Sequence, residues 1–330
     1  MSLMTTQNTF RDVVNASVRA LFNLARDEQS ANLYAKDVGF SMDDPDVPEA
    51  QISSISGPGA GSLTVEGQQY GSNNKYRGYP MTLVLNKYTT ELSWTEEDLH
   101  WINKQGSSKK RSTLTSAASE AVQGLYQNYN QDVSKLFYFG FGTTFLTGGN
   151  SEALFASHTV RKTGTGQRNT FASGATHRPF SADAFSDAIT IMNRLRGHND
   201  IELTPVKRAR VLCSKENAPN VIQTLESLYG PNNANLGLST GSKEFMQKRG
   251  IAVDHFVLAD MPTAYQNYWF VIDMDRMASR TFLAEAWGPR MNDETDYSKG
   301  TFSNEASALF GWYWNEATWC FGSIGDNSTI

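Results

Sequence analysis

Asp273 and Asp275 stand two residues apart with Arg276 beside them. Two carboxylates that approach each other can hold a metal ion or divide acid and base work between them. Here they close an apolar run, Tyr268 to Ile272, and short acidic side chains at a strand end ordinarily make a turn, which is how the pair is read. A second cluster lies between Thr159 and Arg178, where Arg161, Lys162, Arg168 and Arg178 accompany His158 and His177. Such a loop can touch phosphate, but it reads first as a solvated surface or a contact with a neighbour. The five histidines, His100, His158, His177, His198 and His255, have no metal-ligand spacing. Cys213 and Cys320 each sit in an apolar run (ARVLC, TWCF), the setting of buried, reduced thiols. There is no phosphate-binding glycine loop, no GxGxxG after a strand, and no HExxH, CxxC or GxSxG. The residues thus point to no catalytic constellation, cofactor or metal. A triad assembled in space leaves no local trace, so a hydrolase built on His158 or His255 is the enzymic alternative.

Composition narrows the class. A chain of 330 residues holds more than one minimal core. Its formal charge of −5 argues against a binder that grips nucleic acid through a basic face. Charged residues are 19%, below the usual quarter, and Asn, Gly, Ser and Thr take their place, which suits wide hydrogen-bonded contacts. The apolar runs are far too short to cross a membrane, and no signal peptide is present.

The elements that must position these residues are organised around Lys109 to Phe139. Leu114, Ala117, Ala121, Leu125, Tyr129, Val133 and Leu136 recur every three or four residues, while Ser119, Gln123, Gln127, Asn130 and Ser134 form an opposite, wet face. A continuous helix of about 25 residues is a rod of roughly 40 Å, the spine of a broad subunit. Ahead of it, Phe10, Val13, Val14, Leu21 and Phe22 predict a short amphipathic helix between Thr9 and Arg26. The acidic, proline-broken strap Asp37–Ala50 follows, giving an arm whose apolar face should lie on a neighbour. Ser62–Val65 and Met81–Tyr88 flank a Gly- and Asn-rich tip and predict a long β-hairpin. Phe10 and Val14 on the arm, its Asp43, Asp44 and Asp46, and the hairpin's Lys75, Arg77 and Lys87 are candidate contacts between copies, the opposite charges setting register. Ser93-Trp94-Thr95-Glu96 has capping-box spacing and predicts a helix to about Gln105.

Beyond the spine, Ser181 caps a helix with Phe185, Ala188, Ile189, Met192 and Leu195 inward, ending at Gly197. Strands are expected at Arg208–Ser214, Ile251–Leu258, Tyr268–Ile272 and Thr281–Ala284, with a helix from Asn217, making an α+β unit. Arg290–Ser303 reads as irregular. Ala306–Trp314 and Thr318–Phe321 are aromatic closing strands joined at Asn315-Glu316-Ala317.

This ordered set resembles the major capsid proteins of tailed bacteriophages, which share the Hong Kong 97-like fold. Leu154–His158 (LFASH) with its polar loop is similar to the LF-x-x-DH stretch of Mu-type head subunits, although Ser157 stands where those have Asp. Leu203-x-Pro205, RARVLCS, the helix ending LESLYG, IAVDHFVLADMPTAYQNYWFVID and LFGWYWNEATWCFGS follow in the family's order; the closing turn reads Asn315-Glu316 in place of Asp-Trp-Arg. The resemblance spans most of residues 10–323. It implies an α+β chain divided into an N-terminal arm (1–50), an extended β-hairpin loop (51–92), a peripheral domain with the spine helix (93–139), an axial domain (140–285), and a return to the peripheral domain with the closing strands (286–330). It implies a structural protein, not an enzyme, that assembles with itself into pentamers and hexamers of an icosahedral shell. That shell would enclose double-stranded DNA without reading its sequence. Scaffold, portal and decoration proteins are implied partners. Any scaffold would be a separate protein or absent, since the arm starts almost at Met1. The expected place is the virion capsid, assembled in the host bacterial cytoplasm. A nanocompartment shell of the same fold, enclosing protein cargo, is the second reading.

Overall fold

The computed structural model describes residues 18–30, 34–43, 49–52, 55–56, 76–95, 97, 107–148, 151–171, 177–226, 246–296 and 301–326. Helix α1 (residues 18–30) is followed by α2 (Tyr34–Val38) and strand β1 (Ser41–Asp43). Strands β2 (Glu49–Ile52) and β3 (Ile55–Ser56) pair antiparallel with β5 (Met81–Val84) and β4 (Tyr76–Arg77) respectively. The hairpin therefore exists, but its outgoing strands come from residues assigned on sequence to the arm and the loop entry. Ser62–Val65 lies outside the described residues. Alternation explains the choice: Met81 and Leu83 are buried and Thr82 and Val84 exposed, the period-2 pattern of a strand with one face on a core.

Strand β6 (Asn86–Thr95) runs straight through Ser93, Trp94 and Thr95, so these residues do not cap a helix. Pairing with a long partner strand supplies ten residues of ladder, which outweighs a local capping signal. Helix α3 (Ser107–Tyr138) is the spine, 32 residues long, or about 48 Å. Its buried surface is wider than one stripe, adding Ala118, Val122, Tyr126 and Phe137 to Leu114, Ala121, Leu125, Tyr129, Val133 and Leu136. Ser134, expected to stay wet, is fully buried, and its hydroxyl bonds the Ala259 carbonyl at 2.5 Å. The spine stops where Gly140 lets Phe155 approach; a Cβ there would meet the Leu136 carbonyl at 2.8 Å and the Phe155 ring at 2.9 Å.

That broad face changes the arm. Val18, Phe22 and Ala25 of α1 are buried in the same core as the spine. Tyr126 donates to the Arg26 carbonyl at 3.5 Å, and the Gln29 amide donates to Ser119 at 3.4 Å. The described part of the arm is thus covered by its own chain, correcting the expectation that only a neighbour could bury it. Phe10 and Val14 lie outside the described residues.

After the spine come the hairpin β7 (Ser157–Thr159) and β8 (Gly166–Arg168) and helix α4 (Ala182–Asn193), capped by Ser181 as expected and closed at Arg194, ahead of Gly197. Strand β9 (Arg208–Cys213), helix α5 (Ala218–Glu226), strand β10 (Ala252–Val257), strand β11 (Trp269–Asp273) and one turn of helix, α6 (Met274–Met277), follow. Two long strands, β12 (Thr281–Asp296) and β13 (Thr301–Trp314), and the short β14 (Cys320–Ser323) complete the chain. Arg290–Ser303, read as irregular, is largely this antiparallel ladder. Register shifts between Glu285 and Arg290 accommodate Gly288 and Pro289 and break the alternation the sequence would otherwise show.

Two four-stranded sheets result, ordered β1-β12-β13-β6 and β10-β9-β11-β14. The expected grouping changes at two points. Thr281–Ala284 belongs to the spine's sheet, not to the α+β block, and β14 joins β11 in the second sheet, not the spine's. Physically, the Asn315–Thr318 turn swings the chain from one sheet to the other. Gly311 marks where the limb crosses the body: a Cβ there would lie 2.4 Å from the Val84 carbonyl. Gly311→Ala is expected to push β5 off β13 and cost about 1–3 kcal/mol through overpacking, read as a lower unfolding midpoint with faster proteolysis at residues 76–84.

Candidate functional site

The residues proposed to join copies are reached unevenly. Phe10, Val14, Asp44, Asp46 and Lys75 lie outside the described residues. Asp43 ends β1, in register with Ala284, and Arg77 sits in β4 opposite Ile55. Lys87 has a partner within the chain: its ammonium meets the Glu305 carboxylate at 2.8 Å across β6 and β13. Both side chains are partly exposed, so the pair adds little stability but already occupies the charge assigned to a neighbouring arm.

Two of the four cations in the loop of Arg161, Lys162, Arg168 and Arg178 are engaged within the chain. The Arg161 guanidinium donates to the Gly78 carbonyl at 2.6 Å and lies over the Tyr79 ring at 5.4 Å. Arg178 pairs with Asp187 at 2.5 Å and covers the Phe171 ring, while its carbonyl accepts from Trp269 and Ser323. These cations fasten segments of one chain together.

Arg161 leads to a cluster at the hairpin root that spacing alone did not disclose. His198 stacks edge-on against Tyr79, with centroids 5.7 Å apart. Its Nδ1 accepts from the Arg161 backbone N–H at 3.4 Å, and its carbonyl accepts from Lys162 N–H at 3.1 Å. Nε2 faces Glu316 at 3.9 Å, and Glu316 meets Arg280 at 3.1 Å. His158 stands nearby, held by Glu152 at 2.9 Å and by the Leu154 carbonyl at 3.0 Å. Burial pushes the His198 pKa below 6.5, against a smaller pull from Glu316. His177, 2% exposed, is lowered by burial too, and its Nδ1 accepts from the Ile324 N–H. The cavity between these groups is about 30 Å³, room for one water and far below the several hundred Å³ of a substrate pocket. His255 lies on β10 beside Asp254.

The Asp273–Arg276 turn is a clamp. Asp273, 2% exposed, accepts from the N–H groups of Asp275 and Arg276 and caps α6, as the turn reading expected. The Arg276 guanidinium meets Asp273 at 3.0 Å and donates to the carbonyls of Met192 at 3.1 Å, Thr318 at 3.0 Å and Thr204 at 2.6 Å. One cation thereby ties α4, the loop before β9 and the closing turn. Burial dominates both partners, raising the Asp273 pKa and lowering that of Arg276. Cys213 and Cys320 are buried and free, as expected, with burial raising the Cys213 thiol to about 12. Among the described residues no group of His, Cys, Asp and Glu could hold a metal ion, and no helix is long and apolar enough to cross a membrane.

No family model matches the chain, and no curated protein matches it. Solved structures do. The capsid of an empty GTA particle aligns with a TM-score of 0.51 and 12% identity, over 87% of this chain and 88% of that one. The capsid of Myoviridae phage XM1 gives 0.51 and 13%, over 88% and 91%. The native GTA particle capsid gives 0.51 and 11%, over 87% and 88%. The chain has the α+β fold of tailed-phage major capsid proteins, the Hong Kong 97-like fold.

Arg276→Met should cost about 3–5 kcal/mol, because Asp273 is left buried without its cation; chemical denaturation measures this. The two histidines give a pH dependence whose sign follows from their lowered values. The unfolded chain binds protons first, so stability is fully present above about pH 7 and falls as pH drops through 6.5 towards the folded-state values. Unfolding midpoints between pH 8 and about pH 5 check it, and His177→Gln should flatten part of the slope.

Proposed function

We propose that the protein is a major capsid subunit that self-assembles into the pentamers and hexamers of an icosahedral shell around packaged double-stranded DNA. The observation that carries this is the shared fold with capsid shells over 87% of this chain and 88% of its counterpart. In this reading the β10-β9-β11-β14 block with α4 and α5 gathers around the local symmetry axes, and the spine with its sheet forms the periphery. Residues 1–50 act as the arm and 51–92 as the extended loop. The hairpin is the limb that reaches a neighbour, with Lys75 and Arg77 meeting Asp43, Asp44 and Asp46 of the next copy. Each exposed pair is weak, so many repeated contacts, each interface burying upwards of about 2,000 Å², supply the stability. The formal charge of −5 suits a container that must release a polyanion. Scaffold, portal and decoration proteins are the partners of this reading, and the host cytoplasm is its place of assembly.

Sedimentation and negative-stain imaging of the purified chain should give capsomers or closed particles; a monomer at high concentration would overturn the reading. Co-purifying protein cargo in place of DNA would move it to a nanocompartment shell. Lys75→Glu with Arg77→Glu should suppress assembly by at least about tenfold in rate, and reversing Asp43, Asp44 and Asp46 to Lys in the same chain should restore it.

A further inference from the structure

The hairpin root is fastened through a titratable group. Gly78, Tyr79 and Pro80 connect β4 to β5, and Arg161 ties them to the body by its bond to the Gly78 carbonyl and its place over Tyr79. Arg161 is in turn fixed by His198, whose ring nitrogen accepts its backbone N–H and whose carbonyl accepts that of Lys162. The loop bearing His198 does not yield, because Gln167 of β8 binds both the N–H and the carbonyl of Arg196, at 2.7 and 2.6 Å.

An imidazole accepts a hydrogen bond at Nδ1 only while that nitrogen is unprotonated. Adding a proton there removes the acceptor and places a cation among charges already committed. Glu316, from the closing turn, is engaged by Arg280, which stands just before β12. Glu152, ahead of β7, is engaged by His158 and Thr159. Arg161 and Arg280 both repel the imidazolium, and Arg196, on the ring's own loop, is paired with Asp200 and Glu202. Tyr79 presents its ring from the hairpin root.

We propose that His198 is an acid-weakened latch on the hairpin root: neutral, its ring holds the Arg161 N–H and so steadies the β7–β8 turn and, through Arg161, the Gly78–Tyr79 connection; protonated, the ring gives up that bond and both loosen. Burial sets the release below the ordinary histidine value of 6.5. The latch belongs to the single chain, so it stands or falls separately from the shell reading.

Hydrogen exchange on the full-length chain, corrected for the intrinsic pH dependence of amide exchange, tests it. Between pH 7 and about pH 5, protection of residues 76–84 should fall by about tenfold while the middle of the spine is unchanged. In His198→Asn, whose amide oxygen can take the place of Nδ1 as acceptor without titrating, the fall should vanish. Arg161→Leu should open the root already at pH 7. Glu316→Gln should move the midpoint to lower pH by removing the carboxylate that favours the cation. An unchanged acid response in His198→Asn, a root still closed in Arg161→Leu, or a wild-type root equally protected at both pH values overturns the proposal.

Discussion

Strand β11 is buried on both faces, and the rest of the structure depends on that. Phe270 and Ile272 point into the core under the spine, while Trp269 and Val271 point into the core under α4 and α5. The flanking strands behave alike: Leu212 and Cys320 serve the first core, and Val211, Cys213 and Phe321 the second. A five-residue strand with every residue buried needs cover on both sides. The two halves therefore cannot separate without exposing a large apolar area at about 25 cal/mol per Å².

Polar clamps fix the relative placement that apolar packing leaves free. Arg276 spends its donors on carbonyls from three segments, and its partner Asp273 is equally buried, an arrangement costly to desolvate and more costly to break. Tyr129 works similarly in the first core, stacked on Phe310 at 3.6 Å and donating to Glu285 at 2.8 Å, so one spine residue reaches both long strands.

The arm and the hairpin are different kinds of limb. Helix α1 has an apolar stripe that matches the spine, so its own chain covers it. Strand β5 of the hairpin turns Met81 and Leu83 inward and leaves Val84 56% exposed. Alongside those buried side chains, Arg161 bonds the Gly78 carbonyl and the His198 ring packs against Tyr79 at its root.

The spine, the helix capped by Ser181, strands β9, β10 and β11, the turn at Asp273 and the buried thiols were all legible in the chain, because each rests on local periodicity or on side chains bonding their immediate backbone. The order of these elements was enough to indicate the fold class. Tertiary structure alone decided the rest. The continuation of β6 through Ser93, the bulged ladder of β12 with β13, and the division of the closing strands between sheets all depend on partners distant in the chain or on a bulge that hides alternation. The cluster of His198, Glu316, Arg280 and Arg161 had no signature either, since four elements bring it together and no two of its members share a motif. Local pattern records which face of an element is apolar; only the packed chain determines which surface covers it.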